Sequence, residues 1–263
     1  MRAYIAPPFR DLLSRAGFDT FSRFWELPHN WVEDPNRRRE GWSGASFHSI
    51  SDTITDEKIA VFVKRQENHN YKSLLHPFRG MPTFYREFRS IRYMKRIGVP
   101  TAELIFYGLR IHKGDLQSVL VTTALTGYTD LDTLFEDRSL NAPLRTAILR
   151  RIADIVWLMH DSSRQHRHLN GKHILVKLGD PDSFDIRLID LEQMKRILQP
   201  ENAMARDLEK FVRHTPTLSS EEHAELVQHY LQHLKPDVRK DFAMLLNQRI
   251  VDKWPNADLT VKL

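Results

Sequence analysis

The alternation of apolar and polar positions divides the 263 residues into a strand-rich first part and a helix-rich second part. Phe9, Leu12, Leu13 and Ala16 recur at helical spacing, which predicts a short helix over 9–18 leading into an aromatic cluster of Phe18, Phe21, Phe24 and Trp25. Such rings belong against the body of a protein, although Arg10, Arg15 and Arg23 beside them also suit a membrane surface. Strands are expected over 47–50 and 59–64, then a helix over 83–97 that stops at Gly98-Val99-Pro100. Two more strands, over 103–109 and 118–124, flank the turn His112-Lys113-Gly114-Asp115. Beyond Gly127 helical spacing covers 130–137 and 142–161, followed by a polar, histidine-rich loop and two short strands over 174–177 and 186–189. From about 203 onward the pattern is helical, with a capping box at Ser219 and Glu222. This order predicts an α+β chain in two lobes, 1–125 with an N-terminal extension and 126–263, joined near 124–130.

Composition narrows the chemistry. The absence of cysteine removes disulfides, thiolate metal sites and thiol nucleophiles. With 41% hydrophobic and 28% charged residues the chain is expected to be globular, and its net charge of +5 leans weakly towards an anionic partner. Basic residues cluster only at Arg37 to Arg39, and Arg145, Arg150 and Arg151 read as an ordinary solvated face of the helix over 142–161, so no nucleic-acid partner is expected. No apolar run approaches the roughly 20 residues of a membrane span, and the first residues lack the apolar core of a signal peptide. The expected location is cytoplasmic, at most peripheral to a membrane.

Five features could carry chemistry. Gly41-Trp42-Ser43-Gly44-Ala45-Ser46 could bring backbone N–H groups close to phosphate, or could simply be turn glycines. Lys64 ends the apolar strand Ala60-Val61-Phe62-Val63, where it faces either solvent or an anion. Glu87 falls inside the apolar arc formed by Phe84, Phe88, Ile91 and Met94, and a carboxylate buried there requires a partner, for which Lys64 is the candidate. A strand lysine paired with a glutamate on the following helix is the device by which protein kinases hold ATP phosphates. His166-Arg167-His168 matches the kinase loop H-R-D-x-x-x-x-N, with His168 at the catalytic Asp position and His173 at the metal-binding Asn. Asp190 closes an apolar strand, where kinases place a metal-binding acid.

The segments W-V-E-D-P-N-R-R-R-E-G-W-S-G (31–44), V-F-V-K-R (61–65), R-Q-H-R-H-L-N-G-K-H-I-L-V-K (164–177), I-D-L-E (189–192) and D-L-E-K-F (207–211) resemble the lipopolysaccharide core (Kdo/heptose) kinase family, and within it the InaA branch. The resemblance covers about residues 24–230. It implies a bilobed protein-kinase-like fold, with a small antiparallel-sheet N-lobe and a mainly helical C-lobe. It also implies ATP- and Mg²⁺-dependent phosphorylation of a core sugar or related glycolipid, with peripheral contact at the inner membrane. By that carry-over Lys64 would bind the phosphates, Glu87 would pair with it and Asp190 would hold Mg²⁺, while the residues themselves offer Gly41, Gly44 and Ser46 for the nucleotide, His173 for the metal and His168 for the proton. The family normally has H-R-D, so His168 is a departure. Two other readings remain: a kinase-fold binding module without phosphotransfer, favoured by the missing Asp, and a metalloenzyme built on His166, His168, His173 and Asp190.

Overall fold

The structure, a computed structural model, describes residues 2–38, 41–52, 54–55, 57–73, 76–137, 139–180 and 182–254. It divides into two compact units, Met1–Arg92 with Ala102–Thr126, and Tyr93–Thr101 with Gly127–Leu263.

In the first unit an antiparallel sheet runs in the order β1-β7-β8-β4-β3-β2. Its strands are β1 (Arg2–Ile5), β2 (Asn36–Arg38), β3 (Gly41–Ser51), β4 (Lys58–Glu67), β7 (Leu104–His112) and β8 (Asp115–Thr123). A separate hairpin pairs β5 (Asn70–Ser73) with β6 (His76–Pro82). The period-2 pattern of β4 decides what each face carries. Val61, Val63 and Arg65 are buried, the two valines in a core with Leu12 and Leu13 of α1 (Arg10–Arg15) and Phe21 and Phe24 of α2 (Phe21–Trp25). The sequence's aromatic cluster therefore supplies core, and Phe21 and Phe24 have no surface to offer a membrane. Among the described residues no carboxylate pairs with Arg65 on this face. Its guanidinium donates to the carbonyls of Trp25 and Pro28 and to Ser46 Oγ, at 3.0–3.1 Å, and packs against the Trp31 ring. Burial brings its pKa down to about 10.

On the other face α3 (Thr83–Ile97) lays Phe88 parallel to Tyr107, ring centroids 4.4 Å apart. The same helix buries Phe84, Glu87 and Ile91, as its spacing predicts.

The second unit is mainly helical: α4 (Leu131–Glu136), α5 (Ala142–Asp161), α6 (Pro200–Arg213), α7 (Ser220–Gln232) and α8 (Pro236–Lys253). Asn141 caps α5 by accepting from Leu144 N at 2.8 Å, and Ser219 and Glu222 form the expected capping box of α7. The short strands β11 (Ile174–Gly179) and β12 (Ser183–Leu188) pair antiparallel, with β9 (Thr129–Asp130) beside β11, while β10 (Arg164–Gln165) pairs with β13 (Lys195–Arg196). Residues 93–101 belong here because Tyr93 Oη donates to Ser162 O at 2.9 Å and Leu188 N donates to Pro100 O at 3.0 Å. One expectation needs correction. Arg145 was expected on a solvated face of α5, but it is buried, with Nε 2.6 Å from Glu222 and its guanidinium over the Phe135 ring. Among the described residues no helix is long and apolar enough to cross a membrane.

Candidate active site

Candidate residues occur in each unit. In the first, β4 register sets Lys64 opposite Ala45 and Leu120, on the face away from Arg65. Lys64 Nζ lies 2.6 Å from Glu87 Oε1. Glu87 is buried while Lys64 keeps about a quarter of its side chain exposed, so the glutamate fixes the amine and solvent still reaches it. Glu87 Oε2 is buried without a hydrogen-bond partner among the described residues, leaving the carboxylate able to take another donor.

The glycines of β3 have local explanations. A side chain at Gly44 would run into the Trp31 indole, and one at Gly41 into the Glu67–Asn68 backbone. Ser46 is fully buried, its hydroxyl accepting from Arg65 and donating to Val63 O. These contacts account for Gly41, Gly44 and Ser46 by packing, so that a hydrogen bond from the Ser46 hydroxyl to a phosphate would require its hydrogen to leave the Val63 carbonyl. Arg39, in the basic run before them, lies outside the described residues.

In the second unit the histidine loop hangs on Asp207 of α6. This carboxylate is completely buried and accepts from the backbone N–H of His166 (2.7 Å) and Arg167 (2.9 Å), and from Gln165 Nε2 (3.3 Å). His160 Nε2 of α5 approaches it at 3.3 Å. Burial alone would push the Asp207 carboxyl up, but its hydrogen bonds to His160 and to the His166 amide hold it below the usual range. Lys210 Nζ donates to Arg167 O at 2.7 Å, and Arg167 is held at φ 73°, left-handed backbone rarely adopted by a side-chain-bearing residue. The sequence places Asp207 in the family-like segment 207–211 but gives it no role. The signal was available, however, because it is an acid beside the apolar face of Met204, Leu208 and Phe211, the pattern that exposed Glu87.

His166 is not a ligand. Its ring is buried, Nε2 donates to Ile189 O at 3.0 Å, and Nδ1 accepts from His168 N at 3.3 Å. Burial is the main reason its pKa is lowered, keeping the ring neutral. With both nitrogens occupied, the metalloenzyme reading loses one of its three imidazoles. The ring instead ties His168 to the strand end that precedes Asp190.

Around Asp190 the chemistry converges. Asp190 has φ 58°, again left-handed, and its Oδ2 lies 3.2 Å from His168 Nδ1 and 3.6 Å from His173 Nε2. An ionised carboxylate only accepts, so His168 Nδ1 carries the hydrogen, and in the neutral ring Nε2 is the lone-pair nitrogen. His173 has the opposite tautomer. Its Nδ1 lies 2.6 Å from the His168 carbonyl and must donate to it, so in the neutral ring it is Nε2 that offers a lone pair towards Asp190. Asn170 caps this turn, accepting from His173 N at 3.2 Å. Two electron-rich atoms facing each other at 3.6 Å suit a cation between them. A carboxylate with one imidazole fits Mg²⁺ through the oxygen, and the nitrogen makes the pair better still for Mn²⁺ or Zn²⁺.

The sequence profile of the lipopolysaccharide kinase (Kdo/WaaP) family matches residues 22–230. Protein InaA of Escherichia coli (strain K12) is 29% identical over 207 residues, spanning 76% of this chain and 92% of that protein. Among solved structures, WaaP in complex with acyl carrier protein matches with a TM-score of 0.64 at 20% identity, covering 97% of this chain and 100% of that chain. This last likeness is one of fold: the architecture is α+β and protein-kinase-like, an antiparallel sheet in the first unit and mainly helices in the second. With the profile matching most of its length, the chain belongs to the lipopolysaccharide kinase (Kdo/WaaP) family.

Proposed function

We propose that this chain is an ATP-dependent kinase that phosphorylates a hydroxyl of a Kdo or heptose residue in the lipopolysaccharide core, on the cytoplasmic side of the inner membrane. The observation that carries the reading is the 2.6 Å Lys64–Glu87 pair, a buried carboxylate that orients a solvent-reachable ammonium. Lys64 contacts the phosphates, as kinase strand lysines do. Asp190, with His173, holds a divalent cation, which when bound neutralises phosphate charge. His168, oriented through Nδ1 by Asp190, accepts the sugar hydroxyl proton at Nε2 as the oxygen attacks the γ-phosphorus; the bond to the bridging oxygen breaks and ADP leaves. The test is transfer of γ-labelled phosphate to truncated core acceptors by the wild type and by Asp190→Asn. Label appearing on acceptor with the wild type, and at least a hundredfold less with the variant, is the expected result. Equal labelling by the two would overturn the role of Asp190.

The second reading, a kinase-fold module that binds nucleotide or glycolipid without transfer, is favoured by His168 at the position of the catalytic acid. It predicts MgATP binding with no labelled acceptor.

A further inference from the structure

Facing α5 and α7 form a charged seam, and its last rung is inverted. Arg145 of α5 meets Glu222 of α7, and Arg150 meets Glu225, each at 2.6 Å. At the third rung the carboxylate is on α5 and the partners are imidazoles: Asp154 Oδ1 lies 2.9 Å from His229 Nε2 and 2.8 Å from His233 Nε2. His229 and His233 are four residues apart, on one face at the C-terminal end of α7, and the Trp157 ring lies parallel to His233 within 6°. All three ligand atoms lie within 4.8 Å of one another, and each side chain keeps a quarter to a third of its surface in solvent.

We propose that Asp154, His229 and His233 form a transition-metal site of the Zn²⁺ class, separate from the Asp190 cluster. The donor chemistry selects the metal. Two imidazole nitrogens and one carboxylate oxygen suit Zn²⁺, Co²⁺, Ni²⁺ or Cu²⁺, and disfavour Mg²⁺ and Ca²⁺, which take oxygen. The geometry is close to a chelate, since both Nε2 atoms already converge on one oxygen. Zn–N and Zn–O bonds of about 2.0–2.2 Å need ligand atoms roughly 3.3 Å apart, so the Nε2–Oδ1 gaps open by about half an ångström on partly exposed side chains. On binding, each neutral ring carries its hydrogen on Nδ1 instead of Nε2, so that both Nε2 lone pairs face the ion, and solvent fills the remaining position. A bound ion joins the C-terminal half of α5 to the end of α7, so its effect is to stabilise that helix pair.

The experiment uses untagged, metal-stripped full-length protein and Zn²⁺ alone, by calorimetric titration and thermal melting. A His168→Ala/His173→Ala variant removes the imidazoles of the other cluster. In that background one Zn²⁺ binds per chain and the melting temperature rises. Adding His229→Ala and His233→Ala lowers the affinity at least tenfold and abolishes the shift, while circular dichroism stays unchanged. Co²⁺ gives the visible absorption of a four-coordinate site only when both histidines are present. If Zn²⁺ binds equally with and without His229 and His233, or produces neither heat nor shift, the imidazoles merely donate hydrogen bonds to Asp154 and the proposal fails.

Discussion

The second unit contains two triads of the same composition, two imidazoles and one carboxylate, set on different kinds of backbone. Asp190, His168 and His173 stand on loops with left-handed residues at Arg167 and Asp190. Those loops are held by a buried carboxylate, a lysine and hydrogen bonds to the His168 and Ile189 carbonyls. Asp154 and His229 stand on regular helices and His233 caps the end of α7; both rings meet the carboxylate, and that of His233 stacks on Trp157. Left-handed backbone costs about 1–3 kcal/mol per residue and persists only where the surroundings over-determine it. The first triad therefore has its directions set before any ligand arrives, as the proposed proton transfer requires, whereas the second has freer rings that suit the proposed ion.

Breaking the scaffold of the first triad should have the largest effect. Asp207→Ala leaves three donors and a histidine facing an emptied, buried space. Its expected cost is about 3–5 kcal/mol in urea unfolding, and a loss under about 1 kcal/mol would mean that Asp207 does not hold the loop. Next comes His168, the proposed base. His168→Ala should reduce turnover about 10²–10⁴-fold with ATP affinity nearly intact. Undiminished turnover on a verified acceptor would remove His168 as the base.

Acid should distinguish buried from exposed histidines on α7. Burial lowers His223 to about 4, far below its ordinary value, and its Nε2 has no partner among the described residues. The unfolded chain takes this proton near pH 6.5 and the folded chain does not until about pH 4. Stability from this group is therefore full above pH 6.5 and declines by up to about 3 kcal/mol as pH falls through that window. Melting curves of wild type and His223→Gln should diverge in slope across it, and parallel slopes would contradict the assignment. The smallest effect belongs to the seam leading to the second triad: Arg150→Ala removes a largely exposed pair and should cost at most about 1 kcal/mol in thermal or urea melts. A larger loss would show that the seam acts as a unit.

Much of this architecture could be read from local pattern. α3 and α5 occupy the expected 83–97 and 142–161, because each has long apolar periodicity bounded by a stop or a cap. Glu87 stood out because a carboxylate in an apolar arc has to find a partner. β1 escaped notice because four residues have no period of their own; Arg2–Ile5 is a strand through pairing with Phe106–Leu109, about a hundred positions away. The β5–β6 hairpin was hidden by prolines and by an irregular register between Tyr71 and Ser73. Arg145 looked like surface charge, and the burial of Arg65 went unread, because composition does not show that backbone carbonyls or a helix on the far side of a loop can satisfy a buried guanidinium. The tautomers of His168 and His173 depend on a neighbouring carbonyl and carboxylate, which spacing alone does not reveal.

The most direct measurement of the central claim is the melting temperature of wild type and Asp190→Ala with and without MgATP. Ligand that binds only the folded protein stabilises it by about 2.7 kcal/mol at a hundredfold excess over Kd. The account predicts a clear rise for the wild type and loss of most of that rise in the variant, whereas an equal rise in both would contradict the assignment of Asp190 as the metal ligand.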